Sequence, residues 1–189
     1  MPRPDAKSLN GWGPFTFGMN FEEAVIAFPA VVWDPMSLRM CRDEMPPTGC
    51  TLNAADGSRV PPTAGIALLP SLVFNQAGKL AAIRLGHFLR GVEPAECKRA
   101  YGQLLNNLRT TWGAPTASAS IERGARDAAV VGRETFHARP DGRRITLLAS
   151  YIKPTNLAPA VCHLGIRYRG PESLQPPRDE RPSPLKNWY

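Results

Sequence analysis

Two adjacent carboxylates, Glu22 and Glu23, three histidines, His87, His137 and His163, and four cysteines, Cys41, Cys50, Cys97 and Cys162, are the residues of this chain whose types could do chemistry. Glycoside hydrolysis needs two carboxylates facing each other across a cleft. Glu22 and Glu23 cannot do that, because adjacent positions of a helix point about 100° apart. Asn20 and Glu23 instead form an N-x-x-E capping box, and both acids stand at the positive end of a helix dipole, an effect of about 1 kcal/mol together. No two histidines lie within a helical turn of one another, and each reads as a lone residue on a strand. No nucleophile elbow, phosphate-binding loop or dinucleotide fingerprint occurs. The expectation is a protein that is not an enzyme and uses no cofactor; an enzyme of unrecognised type working through His87, His137 or His163 is an alternative.

The cysteines have three possible uses. Zinc sites pair their first two ligands at short spacing. Eight residues separate Cys41 from Cys50, while Cys97 and Cys162 are isolated, so no metal site is expected. Cys97 falls on the apolar stripe of a long helix and Cys162 on the apolar face of a late strand. Those faces must pack on each other, so the two sulfurs can meet. A Cys97–Cys162 bond closes a long loop, worth about 4 kcal/mol in the chain-entropy model, and a Cys41–Cys50 bond about 3 kcal/mol. Two disulfides and an oxidising compartment are the expectation; four free buried thiols in a cytosolic protein are the alternative.

The elements that carry these residues follow from periodicity. A short strand ends at Phe17, Gly18 breaks it, and Asn20 caps a helix whose Phe21, Ala24, Val25 and Phe28 form one stripe until Pro29 stops it. Residues 35–63 read as loop. Two strands, 65–75 and 80–88, make a hairpin around the QAGK turn. Pro94 then opens a helix of about five turns, with Cys97, Tyr101, Leu104, Leu108 and Trp112 on one face and Gly113 after its end. A small-residue loop, APTASAS, precedes a second hairpin around Pro140-Asp141-Gly142. The last strand puts Cys162, Leu164, Ile166 and Tyr168 on one face and His163, Arg167 and Arg169 on the other. The fold class is therefore α+β, an antiparallel sheet packed against helices on one face and wet on the other. The organisation is an N-terminal arm at 1–11, one domain at 12–170 with two related halves at 12–91 and 92–170, and a proline-rich tail at 171–189.

The bulk composition narrows the function classes. At 189 residues the chain can bury a core without a metal to hold it together. No apolar run is long enough for a membrane span. The N-terminus as given, MPRPDAKSLNGWG, carries no secretory signal, so the chain is either cytoplasmic or the mature form of an exported protein. The net charge of +7 could draw nucleic acid or an acidic partner. Arg123, Arg126, Arg133, Arg139, Arg143 and Arg144 alternate with Glu122, Asp127, Glu134 and Asp141, which reads as a mixed-charge solvated surface and weighs against nucleic acid.

The run Phe15-Thr16-Phe17-Gly18-Met19-Asn20-Phe21-Glu22-Glu23-Ala24, followed by a cysteine-bounded loop and strands, resembles the repeat unit of the β-lactamase inhibitor protein and of SmpA/BamE-type envelope lipoproteins. The second half is similar to a broad set of bacterial secreted proteins. The residues that carry that similarity are Cys97 and Tyr101 on the helix, its Trp112-Gly113-Ala114-Pro115 stop, and the Cys162-to-Tyr168 strand. The resemblance implies a layered antiparallel sheet, a periplasmic or secreted setting, and protein binding rather than catalysis. Trp33, Leu185, Trp188 and Tyr189 are the aromatic and apolar residues in loop or tail positions that suit a protein interface. The functional expectation is a non-catalytic accessory subunit or inhibitor of the bacterial envelope, docked on another protein in part by its termini. A basic cytosolic nucleic-acid-binding protein is the alternative.

Overall fold

A computed structural model of the chain describes residues 9–43, 46, 48–56, 58–119 and 128–175. A short hairpin, β1 (Gly11–Trp12) and β2 (Phe15–Thr16), leads into α1 (Phe21–Ala27) and α2 (Pro35–Asp43). Strands β3 (Cys50–Asn53), β4 (Leu69–Phe74) and β5 (Leu80–Arg90) follow, then α3 (Pro94–Trp112). The chain continues through β6 (Ala117–Ala119), β7 (Ala128–Phe136), β8 (Arg144–Ile152) and β9 (Val161–Arg169), and a 3-10 turn at Glu172–Leu174. The seven longer-range strands form one antiparallel sheet in the order β3-β4-β5-β9-β8-β7-β6. The fold is α+β, as the sequence pattern indicates.

Period-two alternation decides which face of this sheet is buried. Ile83 and Leu85 of β5 pair with Tyr168 and Ile166 of β9, and these in turn pair with Ile145 and Leu147 of β8. All six are buried on the side that faces the helices. At about 1.5–3 kcal/mol for each fully buried large apolar side chain, this stripe drives the assembly. β5 and β9 are the central pair, and three strands lie in mirrored order on each side of their junction, apart from the added β6.

The helices start where their caps direct. Asn20 accepts from the Glu23 amide at 2.9 Å, and Glu23 accepts from the Asn20 amide at 2.8 Å, which completes the capping box. Glu96 likewise accepts from the Glu93 amide, one residue before Pro94 opens α3. Residues 35–63, expected to be loop, contain both α2 and β3. Asp34 caps α2 by accepting from the Ser37 amide at 2.8 Å. The buried Ser37 hydroxyl accepts from the Asn53 amide at 3.1 Å and so fastens α2 to the edge strand. The expected strand at 65–75 begins only at Leu69, because Thr63 and Ile66 close a turn on each other through two backbone bonds of 2.9 Å.

The two ends of the domain also differ from the expected boundaries. Leu9 is buried, and Gly11 and Trp12 already form β1, so the fold starts inside the expected arm at 1–11. At the other end, Asn75 donates to the Leu174 carbonyl, and the Gln175 side chain donates to the Ala81 carbonyl at 2.8 Å. Glu172–Gln175 therefore belong to the domain and not to the tail.

Two disulfides tie helices to the sheet. Cys41 of α2 is bonded to Cys50 of β3, and Cys97 of α3 to Cys162 of β9, with Cα separations of 5.5 and 5.6 Å. All four cysteines are buried. Tyr101 of α3 lies over Gly132 of β7: a Cβ at that glycine would sit 2.7 Å from the outer end of the tyrosine ring, so a larger residue there has to displace the Tyr101 side chain. Replacing Cys97 and Cys162 together by alanine should lower unfolding stability in urea by about 4 kcal/mol, and replacing Cys41 and Cys50 by less, about 3 kcal/mol. Equal stability of both variants and the parent would show that the bridges do not constrain the chain.

Candidate functional site

The structure separates the residues that could do chemistry. Glu23 is committed to its cap, and Glu22 forms an exposed ion pair with Arg42 at 3.4 Å. His163 projects on the side of the sheet away from the helices. His87 shares the opposite face with Leu85 and pairs across to buried Leu164. His137, at the end of β7, donates from Nε2 to the Trp112 carbonyl at the end of α3. The three histidines do not converge, and among the described residues no group of three or more His, Cys, Asp or Glu is placed to hold a metal ion.

Of the aromatic residues expected at an interface, Trp33 is a core residue. It is 9% exposed, its ring packs edge-on against Phe15, and its indole N–H donates to the Val25 carbonyl. Long-range packing of the β1–β2 hairpin removes it from the surface, so it is not available as an anchor. Leu185, Trp188 and Tyr189 lie outside the described residues. A groove of about 570 Å³ beside α2 is lined by Met36, Met40, Thr51 and Asn53. Its one acid among the described residues, Asp34, is occupied in capping the helix.

The most distinctive chemistry lies on the open face of the sheet. The register sets its side chains in rows. One row is Ser71, Arg84, Arg167, Thr146 and Thr135 on β4, β5, β9, β8 and β7. The next is Leu69, Gly86, Gly165, Leu148 and Arg133 on the same strands. Beyond it, Phe88 and His163 face each other and stack, with ring centroids 4.6 Å apart and planes 21° apart. On the far side of the arginine row, Arg169 and Arg144 are direct cross-strand partners.

Arg84 and Arg167 are also direct partners on neighbouring strands. Like charges at directly opposed positions destabilise a sheet. No aspartate or glutamate occupies an open-face strand position among the described residues. At Arg133 and Glu134 the linear alternation of acids and arginines is split by the fold; Glu122, Arg123, Arg126 and Asp127 lie outside the described residues. On β7 the period of two sends Arg133 to the open face and Glu134 to the helix side, where it acts on Tyr101. Asp141, in the β7–β8 turn, pairs with Arg143 at 2.8 Å.

Electrostatics follow this segregation. Crowding by surrounding residues, and then the charges of Arg84, Arg169, Arg144 and Arg133, hold the Arg167 guanidinium down to about 10. Arg167 still presents surface to solvent, so water tempers the burial penalty and salt screens the like-charge repulsion, while the opposition of Arg84 and Arg167 itself is fixed by the register. Burial lowers Arg84 and, beside Phe88, also lowers the His163 imidazole. The sequence alternation alone put His163, Arg167 and Arg169 on one face. Arg84, Gly86, Phe88 and Gly165 join them only through the β5–β9 pairing, which no local pattern announces.

Two expectations follow from these charges. Arg167→Thr removes one of two opposed cations and adds a β-branched residue, so at low ionic strength it should stabilise the fold by roughly 0.5 kcal/mol. Sodium chloride should raise the melting temperature of the parent more than that of the variant; a variant melting lower than the parent would contradict the repulsion. At high pH, burial pushes Tyr101 up to about 12 and also raises Tyr168. Between pH 10 and 12 the folded chain keeps these two protons and the unfolded chain loses them, so the tyrosines' contribution to stability falls as pH rises. Arg167 and Arg84, both lowered, act in the opposite sense, so the tyrosine contribution is read as the difference between the parent and a tyrosine variant. The Tyr101 hydroxyl has no hydrogen-bond partner among the described residues. Tyr101→Phe should therefore cost little at pH 7 and gain stability relative to the parent between pH 10 and 12; a melting-temperature difference between the two that stays constant over that range would contradict this. Comparison with protein-family models, with curated proteins and with solved structures returns no match, so the open face has to be understood from its own chemistry.

Proposed function

We propose that this protein is a non-catalytic protein-binding module of an oxidising compartment, the bacterial periplasm or the secreted space, and that it acts as an accessory subunit or inhibitor. The observation that carries this reading is the open sheet face. A seven-stranded sheet leaves one side uncovered by its helices among the described residues, and that side carries Phe88 at 62% exposure, across the glycine row from the arginines, and Ile152 at 43% at the end of β8. Arginine and aromatic side chains are the types enriched at protein interfaces. The two disulfides support an oxidising setting. No helix among the described residues is long and apolar enough to cross a membrane. The resemblance of the Phe15–Ala24 run to envelope-protein repeats points the same way. Leu185, Trp188 and Tyr189, outside the described residues, are assigned a supporting role in holding the partner. The arginine row also favours a second reading, binding of a nucleic-acid backbone.

The test begins with capture from a periplasmic extract by the oxidised chain, followed by purification of the retained protein and titration in isolation. The expected result is a complex that weakens at least tenfold with a Phe88→Ala, Arg84→Thr variant. A chain ended after Gln175, which keeps the whole described domain, should bind more weakly than the full chain. Retained affinity in the face variant would remove the face from the function, and a nucleic acid as the only retained molecule would favour the second reading.

A further inference from the structure

Gly86 and Gly165 sit directly opposite each other on the two central strands and face away from the helices. Neither needs to be glycine for its own backbone. Neither has a positive φ. A Cβ at Gly86 would meet only the His163 ring at 3.8 Å, and one at Gly165 only that ring at 3.7 Å and the Leu85 carbonyl at 3.8 Å, both ordinary contacts. Glycine inside a strand weakens it and often marks close approach of a ligand or another backbone. Two such residues facing each other leave a furrow two strands wide, with the His163 ring leaning over one edge of its floor. Leu69 and Leu148, their partners on the flanking strands, close its ends. Arg84 and Arg167 form one wall, and the stacked Phe88 and His163 form the other.

Resting on the protein-binding reading above, we infer that this furrow receives an extended acidic segment of the partner protein, with its carboxylates on Arg84 and Arg167 and an apolar side chain on the glycine floor against Phe88. Charge complementarity argues for the acid. Two guanidinium groups held opposite each other, on a face whose strand positions carry no carboxylate among the described residues, are suited to paired carboxylate recognition. The floor argues for a peptide over a nucleic acid. It is walled by leucines and sized for a side chain, and the Phe88 ring that could stack on a base already lies against His163. From Leu69 on β4 to Leu148 on β8 the furrow crosses three strand spacings of about 4.8 Å, a length spanned by roughly four extended residues.

The probe is a fluorescein-labelled Glu-Leu-Glu-Glu-Leu-Glu peptide, with its Gln-for-Glu counterpart and a single-stranded oligonucleotide of equal charge as comparisons. The acidic peptide should bind the parent at low salt, and the neutral peptide at least tenfold more weakly. Gly165→Val should fill the furrow and reduce peptide binding at least tenfold while the melting temperature stays level or rises. Arg84→Thr with Arg167→Thr should reduce it similarly, and serves if the valine variant does not fold. Unchanged binding in either folded variant, no binding of the acidic peptide, or tighter binding of the oligonucleotide would each overturn the inference. If capture of a protein partner still depends on Phe88 and Arg84, such a failure removes only the acidic segment; if that capture fails as well, the protein-binding reading fails with it.

Discussion

One-sided burial of the β5–β9 pair is the constraint on which the rest of the structure depends. Ile83, Leu85, Leu164, Ile166 and Tyr168 are buried on the helix side of two adjacent central strands. Once those residues are committed to the core, the period of two commits their neighbours to the other side. Arg84, Gly86 and Phe88 therefore meet His163, Gly165 and Arg167 without any contact designed to hold them there. The open face is the complement of the core, and a shift of one residue in the β5–β9 register would exchange the two.

The disulfides protect that arrangement at a distance. Cys97–Cys162 joins α3 to β9, one of the central strands, and Cys41–Cys50 joins α2 to β3 at the sheet edge. With helices fastened to one face, the sheet can tolerate two glycines and opposed arginines on the other. Residues that weaken a sheet and persist on one patch of it are the usual mark of a surface shaped for something other than folding.

Much of this was legible in the sequence, and the parts that were not share a cause. The Asn20–Glu23 box, the α3 stripe, the second hairpin and the apolar alternation at Cys162–Tyr168 are local patterns, and each appears where its spacing places it, while the first hairpin forms with its opening strand shortened to Leu69–Phe74. The same local logic brought the cysteine pairs together. α2 was missed although Asp34-Pro35 is a cap followed by a proline at the first helical position, a signal hidden in a stretch that otherwise reads as turns. β6 has only small exposed residues and shows no alternation to detect. Trp33 reads as a loop aromatic until the β1–β2 hairpin folds over it. The charge pattern misled for a geometric reason: Arg133 and Glu134 are neighbours along the chain but lie on opposite faces of the sheet. Only the long-range register reveals the facing arginines and the facing glycines.

Arginine-selective footprinting tests the working-surface assignment most directly. Phenylglyoxal labelling of the oxidised chain, read by mass spectrometry with and without its purified partner, compares Arg84 and Arg167 on the open face with Arg99 and Arg109 on α3. Protection of Arg84 and Arg167, with Arg99 and Arg109 labelled as in the free chain, is the expected result. Protection of the helix arginines, with Arg84 and Arg167 still labelled, would contradict it and place the partner on the other side of the molecule.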